Sequence, residues 1–551
     1  MGEYFIIAIG GTGMRCLESF VHMCAAGIFD DKEFHILTLD TDSQNGNKER
    51  TESLINLYND IKRQDGQNVE GVANKNTFFS SKLTLYKYFT NLGDKNHGRD
   101  NYARLSTVNN QDDESKKTNE DLAELFLDRE SVQQFDLAHG FRAQTHLGSM
   151  LMYHSIVEAA KNVTKNKANA KPEEEALCNF LEKMSTAGSN GRVFIFGSIF
   201  GGTGASSIPV LPEAFNKAIE VRFNKSLDFN NVKFGTTLLS QYFSFKNPDE
   251  TQRKKEKGII ADSGLFALNS QAALQFYLND ATVKSCYKHL YHIGWPSEIE
   301  NYSRDGENET ITGGLEQKNR CHVVELLSAC AAYDFFKKSD DEMKKSEPQY
   351  WFHGVETNAS GLLFTGKTFV GDDADIFTNK LGAFLSLAHV ILTKHEASRG
   401  QEGTRRFIQF LNQKDIHSYD RIKENELKQI DEYMRRFAYR IENNKVEDGW
   451  VYQICKSIKG KFIFKSNAFV SNIADLDPNS YDPGDLFEES SHNWSTEGGA
   501  FLTKTSYDKL IGMFKEPSNV VDENKHNVKT TKEKFLAHLY NTITKLENYK
   551  F

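Results

Sequence analysis

Two short apolar runs, each breaking straight into glycines, constrain this chain more than any other feature. Tyr4-Phe5-Ile6-Ile7-Ala8-Ile9 leads into Gly10-Gly11-Thr12-Gly13-Met14-Arg15, and Arg192-Val193-Phe194-Ile195-Phe196 leads into Gly197-Ser198-Ile199-Phe200-Gly201-Gly202-Thr203-Gly204-Ala205-Ser206. A continuous apolar run of this length reads as a strand buried on both faces, the habit of parallel sheets. Further runs at residues 34–39, 234–245 and 289–294 come after stretches with helical spacing. Strands separated by helices predict an α/β fold with a parallel sheet and right-handed crossovers.

The chain has room for more than that sheet. Its 551 residues correspond to roughly three domains at ~100–200 residues each. Hydrophobic residues make up 39%, with 40 phenylalanines, enough for several buried cores. The formal charge is −9 with no basic domain to offset it, so attachment to nucleic acid by phosphate neutralisation is not expected. No apolar run reaches the ~20 residues of a membrane span, and the longest, residues 381–392, reads as a buried helix. The amino terminus shows neither a signal-peptide pattern nor a myristoylation motif. Seven scattered cysteines without a CxxC pair fit reduced thiols and a cytoplasmic location.

Polar, charge-rich tracts at residues 94–121, 161–175, 246–257 and 303–309 read as solvated surface insertions. The mixed-charge stretch Ser339-Asp340-Asp341-Glu342-Met343-Lys344-Lys345 reads as a boundary. The predicted organisation is a nucleotide-binding domain over residues 1–318, a central helix over 319–338, a second α+β domain over 339–474 and a C-terminal extension over 475–551. That extension ends in a short helix near residues 532–548.

Chemistry concentrates where strands meet glycines. Gly10, Gly11, Thr12 and Gly13 lie between a strand and an amphipathic helix, where backbone N–H groups can turn toward an anion. A tight strand-to-helix turn accounts for the same residues equally well, and the dinucleotide fingerprint would need glycine where Cys16 stands. The second run ends in Leu39-Asp40-Thr41-Asp42. Carboxylates at that edge of an open sheet can accept from a ribose hydroxyl or hold metal-bound water, or can simply cap a turn. Gly201, Gly202, Thr203 and Gly204 form a second anion cradle, with a hydroxyl as an added donor.

Taken together these residues resemble the tubulin/FtsZ superfamily, and within it the bacterial tubulin-like branch. Gly201-Gly202-Thr203-Gly204-Ala205-Ser206 is similar to the signature GGGTGSG, with Phe200 for its first glycine and Ser206 for its last. Gly10 to Arg15 resembles the first phosphate loop without its glutamines, and Asp40 and Asp42 fall where the second loop places its acid. Gly140-Phe141-Arg142-Ala143-Gln144-Thr145 lies where the γ-phosphate-sensing loop would, which assigns Arg142, Ala143 and Gln144 to it. The resemblance, covering roughly residues 1–340, implies GTP or GDP with Mg2+ and head-to-tail self-assembly into filaments or oligomers. It also implies base recognition by Asn269, ahead of a helix over 271–278, and by Asn319, opening the apolar central helix. Helix capping explains either asparagine as well. The acidic loop that completes a neighbour's site would be Asp340 and Asp341, without the NxD pattern of the family.

Two rival readings stay open. One is a Rossmann-like NAD-dependent oxidoreductase using Gly11, Gly13 and Asp40. The other is a non-hydrolysing scaffold in a multi-protein bacterial system, such as antiviral defence, whose C-terminal region recruits a protein partner. Adenine in place of guanine is equally open. Gly361-Leu362-Leu363-Phe364-Thr365-Gly366-Lys367-Thr368 spells the P-loop pattern, yet its middle is an apolar strand-like run leading into a turn, whereas a P-loop needs its strand before the first glycine. Lys367→Ala is therefore expected to change nucleotide affinity, read by calorimetry, by less than about threefold.

Overall fold

The computed structural model describes residues 3–42, 44–63, 71–89, 141, 145–165, 168, 170–188, 191–244, 249–251, 261–295, 314–315, 317–352, 354–358, 361–392, 419, 422–438, 440–442, 445–458, 460–463, 468–471, 487–488 and 512–545. Seven strands build its central sheet: β1 (Glu3–Ile9), β2 (Glu33–Asp40), β3 (Lys82–Phe89), β4 (Gly191–Phe196), β5 (Lys233–Leu239), β6 (Tyr287–Ile293) and β7 (Gln349–Phe352). They lie in the order β3-β2-β1-β4-β5-β6-β7, parallel throughout. Sequential order reverses at β1, whose neighbours are β2 on one side and β4 on the other.

A parallel sheet must be covered on both faces, and alternation along the strands divides the core accordingly. Ile6, Ala8, Phe34, Ile36, Phe194 and Phe196 face one cluster; Phe5, Ile7, Leu37, Leu39, Val193 and Ile195 face the other. The first is roofed by α1 (Gly10–Ala25) and α2 (Gly46–Lys62), the second by α3 (Thr145–Lys165), α4 (Pro172–Thr186) and α6 (Leu211–Phe223), with the short α5 (Thr203–Ser207) between them in sequence. The described residues of the tract at 161–175 lie at the surface as expected, all but Val163 exposed or half-buried, but 161–165 form the end of α3 and 172–175 the start of α4 rather than an insertion.

After β5 come α7 (Phe266–Asn279), β6 and the central helix α8 (Val323–Lys337). The helix expected from residue 319 thus begins at Val323. His322 caps it, its Nδ1 accepting from Val324 N at 3.2 Å while its own N–H donates to Glu325 Oε2 at 2.9 Å. Residues after 339 return to the first sheet, because β7 pairs with β6. A second, five-stranded sheet is built from β8 (Glu356–Asn358), β9 (Gly361–Phe364), β12 (Gly460–Ile463), β13 (Ala468–Ser471) and β14 (Phe487–Glu488), in the order β14-β12-β13-β9-β8. Between its two halves in sequence, β10 (Arg440–Glu442) and β11 (Lys445–Asp448) pair antiparallel on their own. Where a turn was expected after Thr368, a five-residue helix α9 (Gly366–Val370) forms.

The later helices α10 (Ala374–Leu392), α11 (Glu424–Phe437), α12 (Trp450–Ser457) and α13 (Thr531–Thr544) join the core that covers α1 and α2. His22 of α1 is packed among Tyr433, Phe437 and Trp450, and burial holds its pKa well below the ordinary value. Trp450 Nε1 donates to Ser19 Oγ at 2.9 Å. The helix expected at the end of the C-terminal extension is α13, whose Phe535, Leu536 and Leu539 are fully buried.

An ion pair locks α13 onto α2. Lys62 Nζ lies 3.5 Å from Glu533 Oε1, both almost fully buried, and also donates to Asn74 Oδ1 and Phe79 O. Burial lowers the Lys62 pKa to about 8 although Glu533 works to raise it. Removing one partner of a buried pair strands the other charge, at a cost of about 3–5 kcal/mol. Glu533→Ala is therefore expected to speed amide exchange throughout residues 531–544, as read by hydrogen–deuterium exchange, while exchange in β1 and β4 stays slow.

Candidate functional site

The site is built at the carboxyl ends of the adjacent strands β1 and β4, where each gives way to glycine. Gly10 begins α1 with no connecting residue, at φ +63°, a left-handed value that disfavours a side chain. A Cβ there would sit 3.1 Å from Thr203 Cβ, so the two glycine turns face each other. Gly13 is needed for a different reason: its Cβ would lie 2.5 Å from Phe196 O, and only a bare backbone lets α1 rest on the end of β4. Gly11 and Thr12 are half-buried in the first turn of α1, and Gly201, Gly202 and Thr203 are half-buried at the start of α5, with Gly204 buried behind them. Gly202 has φ −87°, so backbone handedness does not require glycine there.

The turn after β2 supplies the acids. Asp40 Oδ1 accepts from Thr41 N at 2.8 Å and Asp42 N at 3.3 Å, while its Oδ2 is buried without a hydrogen-bond partner. Asp42 accepts from Gln44 N and Gly314 N. Thr41 Oγ1, Ser206 Oγ and Ser207 Oγ are likewise buried and unpartnered. Buried polar atoms are nearly always paired, so four orphans beside two glycine turns mark a place suited to a polar ligand. Helix α3 joins them, since Ser149 Oγ donates to Ser206 O at 2.7 Å. The preceding Arg142, Ala143 and Gln144, expected as a third loop, lie outside the described residues.

Sequence reasoning missed an amide cluster that borders the first turn. Asn45 caps α2 through its side chain and donates from Nδ2 to Gln317 Oε1 at 2.7 Å. Asn47 and Asn319 exchange two bonds, Asn47 Nδ2 to Asn319 Oδ1 and Asn319 N to Asn47 Oδ1, each 2.9 Å. A Cβ on Gly11 would come within 3.1 Å of Asn47 Nδ2. The Asn45-Gly46-Asn47 step after an acidic turn is a helix-cap signal that could have been read. Asn319 thus stands at this edge, in the extended approach to α8. Asn269 lies inside α7 rather than ahead of it, with Nδ2 directed to Phe200 O at 3.4 Å.

Arg15, expected to reach a phosphate, is instead 2% exposed and engaged on every side: Nε donates to Glu325 Oε1 at 2.6 Å, Nη2 to Tyr242 Oη at 2.7 Å and Nη1 to Asn319 Oδ1 at 3.2 Å. It positions helices. Asp340 and Asp341 lie at the opposite, amino edge of the sheet. Asp340 pairs with Arg192, near the start of β4, at 3.0 Å, and Asp341 is 94% exposed beside Lys344.

Known proteins offer no shortcut: no family model, no curated protein and no solved structure matches this chain.

Burial, with Asp42 adding to it, raises the Asp40 pKa to about 7. An unfolded aspartate ionises near ~3.9, so between that pH and about 7 the folded form holds the extra proton and stability falls as pH rises. Asp40→Asn keeps the Oδ1 acceptor and removes this penalty. In the nucleotide-free protein it is expected to raise the melting temperature at pH 8 more than at pH 5, which paired thermal melts will check.

Proposed function

We propose that the chain is a guanine-nucleotide-binding protein of the tubulin-like kind, holding GTP or GDP with Mg2+ at the carboxyl edge of its sheet and assembling head-to-tail with itself. The observation that carries this reading is the placement of the two glycine turns. They come directly after β1 and β4, the neighbouring strands where strand order reverses, and open α/β sheets bind ligands in the crevice at that point. The unpartnered Asp40, Thr41, Ser206 and Ser207 oxygens offer groups for phosphate, sugar or hydrated Mg2+. The choice of guanine rests on the resemblance of the glycine and asparagine positions to the tubulin pattern.

One observation favours a second reading. The order 3-2-1-4-5-6 within this sheet is also that of dinucleotide-binding folds, which keeps an NAD-dependent oxidoreductase in view. Cys16 in place of the third fingerprint glycine weighs against it, as does a second glycine turn that a dinucleotide site would not need. Mass spectrometry of the nucleotide released on denaturation separates the two: GTP or GDP supports the proposal and NAD overturns it.

A variant tests the cradle. An added Cβ on Gly201 would meet only Ser198 Oγ, at 3.4 Å, so Gly201→Val leaves the fold intact while its methyl groups occupy the space above the turn. Nucleotide affinity by calorimetry is expected to drop tenfold or more, about 1.4 kcal/mol, with an unchanged circular dichroism spectrum. Unaltered affinity would remove phosphate binding from this turn. Turnover tests the assembly: phosphate release per subunit should rise with protein concentration and fall in the Asp340→Asn/Asp341→Asn double variant with binding retained. Assembly without any phosphate release would instead identify a non-hydrolysing scaffold.

A further inference from the structure

Away from the glycine turns, a cavity of about 530 Å3 opens between α8, the β6–β7 edge of the main sheet and the segment from α9 to Asp373. Small-molecule sites commonly measure roughly 300–1,000 Å3 and sit where two structural units meet. One wall is aliphatic, from Leu327, Cys330 and Ala331 of α8, and Phe369 and Val370 face it from α9. A second wall is aromatic. Tyr291 and Trp351, opposite each other on paired strands, hold their rings within 17° of parallel at 6.2 Å. Trp351 is 37% exposed and Phe352, next to it, 87% exposed, an apolar expanse on a sheet edge that soluble surfaces seldom carry without a use.

The charges around this cavity decide the class of ligand. Three lysines and four carboxylates line it, and most are already matched. Lys338 Nζ sits 4.1 Å above the Trp351 ring and 3.0 Å from Asp334, and Asp334 also accepts from Tyr291 Oη at 2.7 Å. Lys337 pairs with Asp373. An anion would have to break these pairs against one carboxylate more than there are lysines, and a cation would have to displace Lys338 from Asp334 and from the Trp351 ring. A phosphate is disfavoured on separate grounds. Although Lys367 and Thr368 of the P-loop-like stretch lie on the rim, residues 361–364 form β9, whose backbone serves ladders with β8 and β13. Among the described residues of this stretch, the backbone of 361–364 is thus taken up in a sheet rather than turned toward an anion.

We infer that this cavity is a binding site for an uncharged, planar aromatic small molecule, held between the wall that carries Tyr291 and Trp351 and the side chains of Leu327, Cys330 and Ala331. The probe is Nile red, a neutral flat dye whose emission shifts to the blue in an apolar site, titrated into the full chain. Saturable binding of one dye per chain is expected. Ala331→Trp, which fills the cavity from α8, should weaken it at least tenfold with an unchanged circular dichroism spectrum. Val370→Trp fills the cavity from the facing wall and should do the same, so it decides the matter if Ala331→Trp does not fold. Dye binding unchanged in either folded variant overturns the site. Anilinonaphthalenesulfonate, an aromatic anion, should bind more weakly than Nile red. Tighter binding of the anion, lost in the same variants, would overturn the uncharged class.

Discussion

The arrangement around the glycine turns hangs on one buried charge. Arg15 sits one turn into α1, and Glu325 one turn into α8, 310 residues later. Tyr242, just beyond β5, closes the triangle by donating to Glu325 Oε1 at 2.6 Å. Burial works against the guanidinium, yet Tyr242 and Glu325 outweigh it and hold the Arg15 pKa above its ordinary value. Such a cluster adds little net stability compared with apolar residues of similar size, but losing one member costs about 3–5 kcal/mol. Its effect is on geometry: only one rotation of α1 about its axis and one height of α8 satisfy all the bonds. The first glycine turn, fused to α1 without a linker, is fixed along with them.

A second polar device sets the other side of the turn. Leu315, Gln317 and Asn319 meet the start of α2, where a Cβ on Gly46 would stand 2.4 Å from Leu315 O. Amides do the joining, through Asn45 with Gln317 and Asn47 with Asn319. Arg50 extends the seam, binding Asn319 O at 2.7 Å and Glu18 Oε2 at 2.6 Å. Side-chain amides carry both donors and acceptors without charge, so they can seal a crevice and still exchange partners with a ligand that offers the same groups. Charged residues sit one step behind them, held in pairs. The first glycine turn is thus bordered by groups that can adapt, set on a frame that cannot.

Whether a residue's place is legible in the sequence depends on where its partners lie. Strands β1 and β4 are legible because burial on both faces leaves an uninterrupted apolar run, whereas β2, β5 and β6, with His, Thr or Lys among their apolar residues, are legible from their spacing between helical stretches. β3 is not: Lys82–Phe89 is an edge strand with only partial burial, so Lys and Tyr interrupt its pattern. β7 has four residues, of which three are exposed, and its pairing depends on β6 rather than on its own sequence. The glycine turns are legible because their cause is local, a backbone that must turn within one or two residues. Arg15 misleads for the opposite reason. Nothing near it in sequence announces Glu325 or Tyr242, and a cation beside a glycine turn looks like a phosphate ligand until a distant carboxylate is seen to hold it. The strand-like middle of the P-loop-like stretch is local too and is β9 in the structure, although nothing in the sequence there announces the helix α9 behind it.

Distance along the sheet bears on the acidic pair. Arg192 stands at the amino end of β4 and holds Asp340 there, while the second glycine turn begins beyond Phe196 at the other end. The six residues of β4, at ~3.3 Å each, separate the two edges by roughly 20 Å, far more than the ~3 Å within which a carboxylate must lie to polarise an attacking water. β4 is central in the sheet, so no bending of its own chain can close that gap without dismantling the core. Asp340 and Asp341 therefore cannot reach a ligand placed at the glycine turns of their own chain. Any role in hydrolysis would require a second copy stacked so that its carboxyl edge meets this amino edge. A contact between unlike surfaces of identical chains repeats without limit unless its rotation closes, so a catalytic role for these residues and open-ended assembly would be two consequences of the same contact.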